Sequence, residues 1–205
     1  MGNLVDRYWL LTSTFYGNWL PGDPRGFVGR VWDARPGDSA IDPRHIHDVP
    51  GILYDADLPG LHRASHERLC GEPIRVTVEQ ANALIEQFLE TARYRAWWLI
   101  AASVMANHMH IVTVVPGDPS PTRILGDYKS YGSRILNRRW GKPLPGTWWT
   151  YDGSKRKLPD DRAVRDGLIY VRDQPNALAV YVDPKFPSET GERGCVSAPW
   201  TGCAQ

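Results

Sequence analysis

The 205-residue chain is poor in cysteine: Cys70, Cys195 and Cys203 make an odd count with no Cys-x-x-Cys pair. Neither a disulfide framework nor a zinc ribbon is indicated, and reduced intracellular thiols fit better. Long apolar runs are also lacking. No stretch approaches the roughly 18 consecutive apolar residues of a membrane span, and the N-terminus has no basic segment leading into an apolar signal core. The expectation is a cytoplasmic protein with no membrane partner. An excess of one charge is missing too, since 24 Lys and Arg against 23 Asp and Glu leave a net charge of +1. That sum offers no support for nucleic-acid binding. What is present is a 42% apolar fraction with nine tryptophans, enough for one domain to bury a core without disulfide staples.

The near-zero charge is unevenly spread. Between Arg123 and Lys157 nine basic residues stand against two acids, and the rest of the chain is acidic on balance. Such a stripe is the expected footprint of a phosphate backbone, although a solvated helix face has the same composition. Lys129, Arg134, Arg138 and Arg139 are the candidate backbone contacts.

Along the chain, residues 7–16 are aromatic and β-branched and read as a first strand. Residues 17–73 carry recurrent Pro, Gly, Asp and His without a sustained period and read as a long irregular insertion. Thr77 and Gln80 open a helix with a capping box, its apolar stripe running Val78, Ala81, Ile85, Phe88, Ala92. Residues 96–105 form a strand covered on both faces, and a turn at Ala106-Asn107 leads into a hairpin partner. Ser120-Pro121 starts a second helix, with Ile124, Tyr128, Tyr131 and Ile135 on one stripe and Gly141 beyond its end. Asp160 or Asp161 caps a third helix that buries Val164, Leu168 and Val171, with room for a strand before it. The order predicts an α+β fold close to ferredoxin-like, helices packed on an antiparallel sheet. A single domain would span residues 1–185, and the polar, glycine-rich stretch 186–205 reads as a disordered tail.

The hairpin partner contains His108-Met109-His110. Residues two apart on a strand share a face, so both imidazoles can grip one metal ion while Met109 points to the core. The spacing alone is common. A second element lies downstream, where Tyr170 and Gln174 stand four apart before Pro175, at the end of the third helix. On a helix i and i+4 share a face, which places a phenol beside an amide oxygen able to serve as a third ligand. The pair sits on the flank of the buried stripe, where it can face a strand and still meet solvent.

Taken in order, residues 104–112 (Val-Met-Ala-Asn-His-Met-His-Ile-Val), Lys129-Ser130, Ser133-Arg134 and Asn137 on the second helix, and Tyr170-x-x-x-Gln174-Pro175 resemble the single-tyrosine transposases of the HUH superfamily, especially the REP-associated tyrosine transposases. The resemblance covers roughly residues 97–177, with 7–16 fitting the first strand. Ala106 replaces the family's proline, and the 17–73 insertion exceeds what the small transposases carry.

The resemblance implies an HUH-endonuclease fold, His108, His110 and Gln174 as ligands of Mg²⁺ or Mn²⁺, and Tyr170 as nucleophile. It implies single-stranded or hairpin DNA as partner, cut and rejoined through a 5′-phosphotyrosine. A homodimer is one assembly it allows. The rival is a domesticated DNA-binding protein of the same fold without strand transfer. A histidine-triad hydrolase is disfavoured because Val112 occupies the third alternating position.

Several other features compete. Tyr128 and Tyr131 are alternative nucleophiles, although their place on an apolar stripe favours packing. Trp140, Trp148, Trp149 and Tyr151 lie among basic residues and are candidate base platforms. His45-Ile46-His47 repeats the His-x-His spacing in apparent loop material. His62, His66 and Cys70, four apart, could line one helix face around zinc.

Overall fold

The computed structural model describes residues 6–23 and 59–186, with the backbone of 32–33 and 45–46. The strands are β1 (Asp6–Thr14), β2 (Trp32–Asp33), β3 (His45–Ile46), β4 (Trp98–Val104), β5 (His108–Pro116), β6 (Ser154–Leu158) and β7 (Ala179–Val182). The helices are α1 (Pro59–Glu67), α2 (Val78–Tyr94), α3 (Pro121–Trp140) and α4 (Asp161–Arg172). Most of the insertion, His47, Cys195, Cys203 and the expected tail lie outside the described residues.

Five strands form one sheet in the order β6-β1-β5-β4-β7, every neighbouring pair antiparallel. The connections β1-α2-β4 and β5-α3-β6 make this the split βαβ arrangement expected from the sequence, with β7 added at one edge. The α+β reading is correct.

Strand alternation divides the side chains of β5 between two cores. Met109, Ile111 and Val115 pack with Leu84 and Phe88 of α2 and Leu125 and Tyr128 of α3. Val112 and Val114 face the opposite way and pack with Val164, Leu168 and Val171 of α4. Three layers result: α2 and α3, the sheet, and α4. His108 and His110 share the parity of Val112, so they lie on the α4 face.

Local signals placed the helices. Thr77 Oγ1 accepts from the Gln80 amide at 3.3 Å and Gln80 Oε1 accepts from the Thr77 amide at 3.0 Å, completing the capping box. Asp160, rather than Asp161, caps α4 by accepting from the Ala163 amide at 2.8 Å. The α2 stripe is centred on Ala81, Leu84, Phe88 and Ala92, leaving Val78 exposed and Ile85 half-buried.

Two readings need correction. His45-Ile46 is not loop: the two residues pair with Ile46 opposite Trp32 and His45 opposite Asp33. The insertion is not irregular throughout, because residues 59–67 form α1. With only Leu61 and Ala64 as apolar residues between its ends, α1 gives almost no periodic signal. Strand β7 was also unforeseen, its four residues Ala-Val-Tyr-Val being too short to alternate visibly. Among the described residues no helix is long and apolar enough to cross a membrane.

Candidate active site

The antiparallel register of β1 and β5 places Thr12 opposite His110 and Thr14 opposite His108. Thr12 Oγ1 lies 2.7 Å from His110 Nδ1, and Asn107 Oδ1 lies 2.7 Å from His108 Nδ1. An amide oxygen can only accept, so His108 carries its hydrogen on Nδ1 and its lone pair on Nε2. His110 is 3% exposed. Its burial, reinforced by the neighbouring His108, pushes its pKa down to about 3, which keeps the ring neutral. The two imidazole centroids are 4.8 Å apart, edge to face.

Helix α4 brings Tyr170 to this pair. Its hydroxyl stands 3.3 Å from His110 Nε2, and the two ring centroids are 4.9 Å apart. Both hydroxyls can donate or accept, so either neutral tautomer satisfies the two contacts; in the one with its hydrogen on Nδ1, Nδ1–H donates to Thr12 and the Nε2 lone pair faces the phenol. Tyr170 is 49% exposed, as its position on the flank of the buried α4 stripe allows.

Gln174 is placed differently from a simple i,i+4 helical pair. Helix α4 ends at Arg172, and the Gln174 amide nitrogen donates to the Tyr170 carbonyl at 2.9 Å. The side chain thereby satisfies one of the carbonyls that a helix end leaves without a partner. Its oxygen Oε1 is the atom it would offer to a ligand. Among the described residues no group of three or more His, Cys, Asp or Glu could hold a metal ion, so neither the histidine pair with acidic partners nor His62, His66 and Cys70 makes such a centre.

The rival tyrosines are elsewhere. Tyr128 is fully buried in the α2–α3 core with its hydroxyl 3.0 Å from Thr113 Oγ1, and burial raises its pKa. Tyr131 packs near Tyr94, with Arg134 4.8 Å over its ring. Both lie on α3, across the sheet from the histidines.

The basic candidates divide by environment. Lys129 turns its ammonium to the carbonyls of Thr150 (2.7 Å), Asp152 (3.0 Å) and Tyr151 (3.4 Å). Burial lowers its pKa to about 8. Arg134, Arg138 and Arg139 are exposed on the outer α3 surface, where Arg139 pairs with Glu86 at 3.6 Å. The structure does not bring these arginines to the histidines. Of the aromatic candidates, Trp148 and Trp149 are buried, their indole N–H groups donating to Asn137 Oδ1 (2.8 Å) and to Ser133 Oγ (2.9 Å). Trp140 and Tyr151 remain exposed.

Sequence reasoning gave Thr12 no role and took Asn107 only as a turn residue. Thr12 could be found only by fixing the β1–β5 register, which no local pattern announces. Ser103, opposite His110 on β4, was likewise missed. Its hydroxyl is buried without a hydrogen-bond partner.

No protein-family model matches the chain, and no curated protein matches it. Among solved structures, a REP-associated tyrosine transposase bound to a REP hairpin aligns with it at 10% identity over 84% of this chain and 68% of that one, with a TM-score of 0.45.

Proposed function

We propose that the protein is a metal-dependent tyrosine endonuclease and transposase acting on single-stranded DNA, hairpin DNA included. The observation that carries this reading is the meeting of Tyr170 with His110 at 3.3 Å across a sheet-to-helix junction, sixty residues apart in sequence. A phenol poised beside two strand histidines is the arrangement implied by the motif resemblance.

The donor set fits a divalent ion. Both Nδ1 atoms are held by oxygen partners, His110 is kept neutral, and such outer contacts orient imidazole ligands. His108 and His110 would hold the ion with Oε1 of Gln174, and Mg²⁺ or Mn²⁺ suits a site that completes its shell with water and phosphate oxygens. Bound there, the ion would withdraw charge from a phosphodiester and fix its orientation.

The chain's own contribution is the nucleophile. Tyr170 Oη gives up its proton and attacks phosphorus, the new bond joins tyrosine to the 5′-phosphate, and the P–O3′ bond breaks to release a 3′-oxygen that takes up one proton to become the 3′-hydroxyl. One phosphoester replaces another, so the step needs no nucleotide cofactor. Attack of a second 3′-hydroxyl on the phosphotyrosine rejoins the strand and restores the phenol.

Incubation with labelled hairpin oligonucleotides from the DNA flanking its own gene, with Mn²⁺ or Mg²⁺, should give a covalent adduct that Tyr170→Phe abolishes. Binding without an adduct would instead support the DNA-binding alternative.

A further inference from the structure

Tyr151 is 102% exposed, the most exposed large hydrophobic side chain among the described residues. The backbone around it is held at every step. The three hydrogens of the Lys129 ammonium are all spent on the carbonyls of residues 150, 151 and 152. The Thr150 amide donates to the Thr14 carbonyl at 3.1 Å, and Ser13 Oγ donates to the Asp152 carbonyl at 3.3 Å. Gly153 packs so closely on β1 that a Cβ there would strike the Thr12 carbonyl oxygen and come within 2.8 Å of Leu125 Cδ2. With the backbone clamped, only the ring's own two torsions remain to be ordered on binding.

The loop also lies where the chemistry is. Thr14 faces His108 across one side of β1, and its hydroxyl meets Thr150 on the other at 2.8 Å. With strands about 4.8 Å apart, the loop sits roughly two strand spacings from the histidine strand. A cleft of about 560 Å³ is lined by Thr12, Ser154, Arg156 and Tyr170, with Asp160 and Asp166 on its α4 side. It leads from the nucleophile along β6, the strand that follows the Tyr151 loop. Arg156 supplies a cation on that route.

We infer that Tyr151 is a stacking platform for an unpaired base of the DNA strand whose phosphodiester reaches Tyr170. The inference deepens the proposed function and rests on it. An aromatic face open to solvent offers a base its π-surface without reading its edge, so the platform accepts any base and rejects an internal paired one.

The test uses the full chain in EDTA, which prevents cleavage, and two labelled hairpin oligonucleotides, one with an unpaired flank and one trimmed to the stem. Tyr151→Ala, whose lost side chain touches nothing, should melt like the wild type. It should weaken binding of the flanked oligonucleotide about five- to 150-fold, the range for one lost base stack, and leave the trimmed one unchanged. Tyr151→Phe and Tyr151→Trp should bind as the wild type does. A 2-aminopurine scanned along the flank should be quenched at one position in the wild type but not in Tyr151→Ala. Equal binding of the flanked oligonucleotide by Tyr151→Ala, or a Tyr151→Phe defect as large as that of alanine, would overturn the platform alone. Failure of the wild type to bind either oligonucleotide would overturn the functional reading and the platform with it.

Discussion

Replacing Thr12 by valine removes one hydroxyl and almost no volume, and that hydroxyl has a specific place in the site. It holds His110 Nδ1 at 2.7 Å on a ring that is 3% exposed. Without it a buried ring nitrogen has no partner, which costs about 1–3 kcal/mol. For a domain of this size each kcal/mol lowers the melting temperature by about 2–4 °C, so a fall of roughly 2–12 °C is expected. The ring would also lose the contact that orients it, and loss of an outer partner of this kind weakens metal binding by about ten- to 100-fold. Urea unfolding followed by tryptophan emission gives the first quantity, Mn²⁺ titration the second, and the ¹⁵N shifts of the His110 ring report the tautomer. Thr12→Ser keeps the oxygen and should behave like the wild type in tautomer and metal affinity. A Thr12→Val protein within about 0.5 kcal/mol of wild-type stability, with unchanged ring shifts and Mn²⁺ affinity, would refute the reasoning.

Other consequences follow from the same geometry. The Tyr170 hydroxyl and a bound ion would compete for the single His110 Nε2 lone pair, so Tyr170→Phe should bind Mn²⁺ at least as tightly as the wild type, measured by calorimetry; a tenfold loss would mean that the phenol helps to hold the ion. Ser103→Ala deletes a buried hydroxyl that has no hydrogen-bond partner, and should leave stability unchanged or raise it by up to about 1 kcal/mol in urea unfolding. A substantial loss of stability would show that a water or ligand satisfies that hydroxyl.

Much of the fold was legible because its signals are local. The capping box at Thr77, the proline after Ser120 and the aspartate before Ala163 act within one helical turn, and the alternation around His108 and His110 fixed which face Met109 buries. The site was legible only in its parts. His108, His110 and Tyr170 stood out as residue types at a spacing, but their meeting depends on the β1–β5–β4 register and on the packing of α4, both long-range. The same dependence hid Thr12 and Ser103. Lys129 illustrates the converse: its sequence neighbours suggest a phosphate contact, while the fold commits its charge to three carbonyls of its own chain. Helix α1 and strand β7 were missed because neither carries enough apolar residues, or enough length, to show a period.

The central claim is that Tyr170 forms a covalent bond to DNA. The most direct measurement is mass spectrometry of the protein digested after incubation with a single-stranded hairpin oligonucleotide and Mn²⁺. A nucleotide joined through its 5′-phosphate to the peptide carrying Tyr170 is expected, absent in Tyr170→Phe and in His110→Ala. An adduct on any other residue, or one that survives in Tyr170→Phe, would contradict it.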